Sequence, residues 1–103
     1  MDEVEVVFVL DRETQFGENL FVIGSIPQLG EWDVARALPL QYMQESQWRI
    51  AIKVSPCSFE YKYLIQDQFS ESMVWESSSN RAKTVSHHTN NMLDDRWDTL
   101  GNV

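Results

Sequence analysis

Residues 47–54, QWRIAIKV, carry the clearest alternation in the chain. Trp48, Ile50, Ile52 and Val54 fall on one side, and Arg49, Ala51 and Lys53 on the other. That period of two is the signature of a strand with one face on a core. Residues 59–67, FEYKYLIQD, repeat the pattern, with Phe59, Tyr61 and Tyr63 on one face and Glu60, Lys62 and Leu64 on the other. The intervening SPCS reads as a turn that holds Cys57. Working outward, VEVVFVLD (4–11) places Val4, Val6, Phe8 and Leu10 on one face, and NLFVIGS (19–25) is a short apolar strand ending near Gly24. SMVWES (72–77), AKTVSHH (82–88) and NMLDDRWD (91–98) supply further strands, and RETQFGEN (12–19) and SSNR (78–81) supply turns. Residues 26–40 have no clean period: Pro27, Gly30 and Pro39 interrupt them, and DVARAL (33–38) makes a single helical turn capped by Asp33. Seven or eight short strands, with no internal repeat and no helix of three turns, predict an all-β, antiparallel β-sandwich. Phe8, Phe21, Ile23, Ile50, Ile52, Phe59, Tyr61, Tyr63 and Val85 are its expected core, with Trp48 and Trp97 as packing residues. Gly24 and Gly30 are expected to serve backbone geometry.

The chain has 103 residues, of which 43% are hydrophobic, enough for one two-layer domain. The domain is expected over residues 1–98, with 99–103 a frayed tail, and the start directly on a strand suggests one module of a longer protein. A net charge of −8 opposes nucleic acid and anionic membranes, both of which select clustered bases. It leaves neutral ligands and basic partners open. The single cysteine, Cys57, forms no internal disulfide, no Asn-x-Ser/Thr acceptor occurs, and the acidic start MDEVEV is unlike a secretory signal. These features lean toward an intracellular compartment.

Catalysis has little to build on. Glu60, Asp67, Glu71, Glu76, Asp94 and Asp95 are the acids from which a glycosidase pair would be drawn, and such a pair needs a cleft that keeps one of them protonated. On a small sandwich they read as solvated surface acids. His87 and His88 are adjacent, so a strand points them to opposite faces and they do not chelate one metal. No phosphate loop and no nucleophile elbow is present, and no metal or cofactor is expected.

The aromatics carry more information. In LGEWD (29–33) every neighbour of Trp32 except Leu29 is polar or glycine, so its indole either plugs the core from a loop or faces outward. Trp75 lies in MVWESSSNR (73–81), at the edge of a short strand before a polar turn. Lys62 sits on the outward phase of its strand.

GSIPQLGEWDVARALPL (24–40), followed by FEYKYLI (59–65) and VWESSSNR (74–81), closely resembles the starch-binding domains of carbohydrate-binding module family 20. LDDRW (93–97) resembles the family's last strand, so the likeness runs from about Val4 to Trp97. The resemblance implies an immunoglobulin-like sandwich and non-catalytic binding of α-1,4-glucans: starch, glycogen, malto-oligosaccharides or cyclodextrins. It implies a first site on the platforms Trp32 and Trp75, with Lys62, Glu76 and Asn80 as polar partners. Sugar rings pack their C–H faces on indoles, while lysine, amide and carboxylate groups meet the hydroxyls. The resemblance also implies a second site on Phe16, where the family often has tyrosine, and Tyr42. The loop from Leu40 to Trp48 is short for the family, so a weakened or absent second site is compatible with it, and Tyr42 also fits as a cap on the sandwich end. The implied partner is an α-glucan polysaccharide, bound by a monomeric module that anchors a parent protein of α-glucan metabolism. A sandwich that has lost the sugar and binds protein instead is the competing reading, opposed by the intact Trp32, Lys62, Trp75, Asn80 set.

Overall fold

The computed structural model describes residues 2–70 and 72–98. Among them nine strands form two sheets: β1 (Val4–Asp11), β2 (Glu18–Gly24), β3 (Leu38–Pro39), β4 (Gln41–Tyr42), β5 (Gln47–Val54), β6 (Cys57–Asp67), β7 (Met73–Trp75), β8 (Arg81–Val85) and β9 (Met92–Arg96). One sheet runs β4-β5-β1-β9, and the other runs β3-β2-β6-β7 with β8 also paired to β6. The length of β6 explains that branching. Its first half, Cys57 to Tyr61, pairs with β8, and its second half, Leu64 to Gln66, pairs with β7. The expected tail, residues 99–103, lies outside the described residues.

The alternating residues pack as their period requires. Val6, Phe8 and Leu10 of β1 meet Phe59, Tyr61, Tyr63 and Ile65 of β6 across the interior, joined by Leu20, Val22, Trp48, Val54 and Val85. Phe8 meets Tyr61 edge-on at 5.3 Å between ring centroids, and Tyr61 meets Tyr63 in the same way at 5.7 Å. Burying a side chain of this size stabilises the fold by about 1.5–3 kcal/mol. Ile50 and Ile52 pack against this cluster while partly buried, as does Trp97.

Three details differ from the sequence reading. Strand β9 runs parallel to β1, Val7 opposite Met92 through Asp11 opposite Arg96, whereas every other pairing is antiparallel. Phe21 and Ile23 lie on the opposite face of β2 from the core residues Leu20 and Val22. Ile23 is nevertheless fully buried there, as is Leu64 of β6, so a small apolar patch lies under the outward face of this sheet. Cys57 opens β6, opposite Val85, instead of sitting in a turn.

The segment without a period holds the two shortest strands. Pro39 of β3 pairs with Phe21 of β2, and Tyr42 of β4 pairs with Trp48 of β5, so the chain crosses from one sheet to the other at Leu40. Leu40 is buried and its N–H donates to the Leu20 carbonyl at 2.8 Å, which fixes the crossing.

Candidate functional site

The turn carrying Trp32 is built from the backbone outward. A 3-10 segment, Pro27–Trp32, starts with proline in its first turn, where the missing N–H costs nothing. Leu29 is fully buried and anchors the segment, and its N–H donates to the Ile26 carbonyl at 2.9 Å. Gly30, Glu31 and Trp32 then take positive φ in succession, at 83°, 49° and 66°. A side chain at Gly30 would start 2.7 Å from the Arg36 carbonyl oxygen, so only glycine fits. The left-handed conformation costs about 1 kcal/mol or more at each non-glycine residue, and burial of Leu29 offsets it. The second 3-10 turn, Val34–Arg36, follows, with the Asp33 carboxylate accepting from the Ala35 N–H at 3.0 Å, as the sequence predicts. Arg36 pairs with Glu31 and Asp33 at 3.3 and 3.4 Å, but all three are solvated and add little.

Trp32 ends this turn half-buried beside Trp75, with ring centroids 6.4 Å apart and planes 28° from parallel. Trp75, 37% exposed, stands opposite Leu64 on β6, which stands opposite Phe21 on β2. Residues directly opposite in a ladder share a face, so Trp75 rises from the outward face of the sheet. Lys62 shares that face two residues before Leu64, and its Nζ donates to the Glu76 carbonyl at 3.0 Å. Asn80 Nδ2 donates to Glu60 Oε1 at 2.9 Å, and Glu60 is two residues before Lys62 on the same face. The structure therefore brings Trp32 and Trp75 together, puts Lys62 beside them, and ties Asn80 to the same sheet face through Glu60.

Glu76 is a correction. The residue is 1% exposed and its carboxylate is turned into the protein, so that carboxylate is not a surface acceptor. The reason is the strand period. Glu76 follows Trp75 directly and its N–H donates to the Tyr63 carbonyl at 3.1 Å, which extends the ladder by one residue. With Trp75 outward, Glu76 is inward. There it forms a buried ion pair with Arg81 through Arg81 Nε at 3.1 Å and through Nη2, while its oxygens also accept from the N–H groups of Tyr63 and Asp98 at 3.1 and 2.7 Å. Arg81 Nη1 lies 3.5 Å from Asp95, and Asp95 Oδ2 accepts from both Tyr61 and Tyr63 hydroxyls at 2.7 Å. Burial, reinforced by the adjacent Asp95 carboxylate, holds both phenols well above the ordinary tyrosine range. Arg81 also donates to the Arg96 carbonyl. This network ties β6, β8 and β9 to the residue that follows Trp75, on the inner side of its sheet, and sequence reasoning missed Arg81 because its partner was assigned to the surface.

The second expected pair lies elsewhere. Phe16 is 89% exposed and Tyr42 51% exposed, and both line one open groove of about 570 Å3 with Glu13, Thr14, Ser46 and Trp48. Tyr42 also meets Trp48 edge-on at 5.3 Å, so the cap and platform readings share one geometry. Beside Phe16 stands Phe69, 68% exposed, with centroids 5.8 Å apart and planes at 34°. Phe69 went unnoticed in the sequence, although QDQFS sets it among polar residues as LGEWD sets Trp32.

Of the acids considered for hydrolysis, Glu60 stands on the platform face, where it holds Asn80, and Glu76 is buried against Arg81, so they form no exposed pair. Asp95 is held by the tyrosines, Asp67 accepts from the Phe69 N–H at 2.9 Å, and Asp94 lines a groove on the other sheet. Glu71 lies outside the described residues. His87 and His88 are exposed, and among the described residues no cluster of three or more His, Cys, Asp or Glu is placed to hold a metal.

Residues 3–95 match the family model described as starch binding domain. The chain is 44% identical over 85 residues to glucoamylase-1 of Arthroderma benhamiae, an alignment covering 78% of this chain and 14% of that enzyme. The structure superposes with a TM-score of 0.85 on the family 15 glucoamylase of Hypocrea jecorina, 28% identical, covering 96% of this chain and 18% of the other. The family 20 module of the maltotetraose-forming amylase from Pseudomonas saccharophila shares the fold, with a TM-score of 0.76 at 24% identity, covering 91% of this chain and all of the module. The chain thus spans about one seventh of the length of the glucoamylase it matches in sequence. The sandwich, the matched residues and these likenesses together place the chain in the starch-binding domain family, carbohydrate-binding module family 20, whose members are non-catalytic polysaccharide-binding domains.

Proposed function

We propose that this domain binds α-1,4-glucans, among them starch, glycogen, malto-oligosaccharides and cyclodextrins, by stacking glucose rings on Trp32 and Trp75. The observation that carries the reading is the indole pair itself: two neighbouring rings with centroids 6.4 Å apart and planes 28° from parallel, one on a turn and one on a sheet face. Each plane offers an apolar surface to the C–H face of one ring, and the tilt between them suits a curved chain better than a flat one. Lys62 supplies the hydrogen bonds at the edge. One of its three N–H groups meets the Glu76 carbonyl, leaving two for sugar hydroxyls. The Asn80 amide, oriented by Glu60, keeps its Oδ1 and one N–H for the same purpose. Glu76 supports the site from within, fixing the strand end that carries Trp75. Phe16 and Tyr42, on their shared groove, form the second binding region. A neutral polymer meets no repulsion from a domain of charge −8. The domain acts as a monomer and holds a larger protein of α-glucan metabolism on its polysaccharide, where many weak contacts on one granule give retention through effective concentration.

Titration with β-cyclodextrin, followed by heat and by tryptophan fluorescence, tests this. Saturable binding that weakens at least about tenfold in Trp32→Ala, with far-UV circular dichroism unchanged, is the expected result. No binding by the unsubstituted protein, to cyclodextrin or granular starch, refutes it.

A further inference from the structure

We infer that Phe69 is a glucan-stacking residue, and that with Phe16 it forms a second paired platform reaching beyond the groove of Tyr42. The inference rests on the glucan-binding reading above and adds a residue to it. Phe16 and Phe69 are the two most exposed large apolar side chains among the described residues, at 89% and 68%, and they are neighbours. Open exposure of two adjacent rings forgoes a burial gain, and such patches mark contact surfaces. Their separation of 5.8 Å and tilt of 34° nearly repeat the 6.4 Å and 28° of the tryptophan pair.

The pair is held in place by its turns. The Gln68 N–H donates to the Gly17 carbonyl at 2.9 Å, tying the Phe69 turn to the Phe16 turn. The Asp67 carboxylate accepts from the Phe69 N–H at 2.9 Å, and the Asp67 carbonyl accepts from the Ser70 N–H at 3.2 Å. Gly17 has φ of +92°, and a Cβ there would come within 2.4 Å of the Phe69 ring. The ring therefore lies against bare backbone, a position that any other residue at 17 would dislodge.

The surroundings suit a sugar. The groove that Phe16 lines is open and mixes the aromatic rings of Tyr42 and Trp48 with carboxylate, hydroxyl and amide side chains, with Glu13 and Glu18 and no base among its lining residues. An anionic ligand is disfavoured there, and a purely apolar partner would leave those polar groups unpaired. A sugar ring has apolar faces and a hydroxyl edge, and meets both demands.

The test uses Trp32→Ala/Trp75→Ala as background, so that heat from β-cyclodextrin or maltoheptaose reports on the second region alone. Binding should persist in this background, and adding Phe69→Ala should weaken it about tenfold, the scale of one lost stacking ring. Persistence that Phe16→Ala abolishes and Phe69→Ala leaves unchanged overturns the inference. So does binding by the unsubstituted protein that the background substitutions abolish, while the glucan reading survives. No binding by the unsubstituted protein overturns both. Sedimentation velocity adds a further arm: a concentration-dependent dimer that Phe69→Ala converts to monomer, with sugar affinity unchanged, would make the pair a self-association patch and overturn the inference.

Discussion

Trp32 and Trp75 stand 6.4 Å apart on a strand and a hydrogen-bonded turn, and Phe16 and Phe69 stand 5.8 Å apart on two linked turns. The ring geometries are close, but the foundations are not. On the sheet face that carries Trp75 lie the buried Ile23 and Leu64, and on its inner side lies the Glu76–Arg81–Asp95 network, which begins at the residue after Trp75. Beneath the phenylalanines lies the backbone of Gly17. The contrast separates two ways of presenting an aromatic plane: one is coupled to the stability of the domain, the other to local turn chemistry. A change in the core should therefore damage the first platform and spare the second, and a change at Gly17 should do the reverse.

The largest expected effect comes from Arg81→Ala, which leaves the Glu76 and Asp95 carboxylates without their cation. A broken buried pair costs about 3–5 kcal/mol, enough to consume much of the stability of a small domain. Urea unfolding measures it, and a loss below about 1 kcal/mol would show the network to be dispensable.

The same network gives an alkaline limit. Tyr61 and Tyr63 have pKa values raised by burial and by Asp95, so the native state keeps both phenols protonated where the unfolded chain ionises them. Their contribution is complete below the unfolded tyrosine value of about 10 and falls above it, by up to about 1.4 kcal/mol per pH unit for each group. Stability against pH from 9 to 12 should bend downward near pH 10, and Tyr61→Phe should flatten that bend. An identical slope in the variant contradicts the assignment.

Gly30→Ala comes next. It combines φ of +83° with a 2.7 Å approach to the Arg36 carbonyl, a strain of about 1–3 kcal/mol that would displace the Trp32 turn. Cyclodextrin affinity at the first platform should fall with it, while binding at the phenylalanines holds. Arg36→Ala sits at the small end: its ion pairs are solvated, and a stability change within about 0.5 kcal/mol is expected from the melting curve.

Much of this contrast was legible in the sequence, and the omissions have physical reasons. QWRIAIKV and FEYKYLI announced the two central strands because their alternate residues reach the core, and Asp33 announced its helical turn through its side-chain oxygen. The two-residue strands β3 and β4 are too short to show a period. Alternation is also the same for parallel and antiparallel partners, so it could not reveal β9 running beside β1. Trp32 stands beside Trp75, and Lys62 shares the sheet face of Trp75; a sugar-binding role for the three belongs to the proposed function. Glu76 was assigned to that surface against the strand rule, since a residue adjacent to an outward Trp75 must point inward. Arg81 then looked like a turn residue, because burial of an arginine is only intelligible once its carboxylates are located. Phe69 was visible by the reasoning applied to Trp32, an aromatic among polar neighbours, but its closeness to Phe16 arises from pairing between β2 and β6 that brings two distant turns together.

In the proposed function Trp32 and Trp75 form the glucan platform while the other tryptophans serve packing. The chain holds four tryptophans, so a proton–nitrogen correlation spectrum offers an indole signal for each. On titration with β-cyclodextrin the signals of Trp32 and Trp75, assigned by single substitutions, should move together along one saturation curve, with those of Trp48 and Trp97 nearly still. Movement confined to Trp48 or Trp97, or no movement at saturating sugar, would rule out Trp32 and Trp75 as the platform.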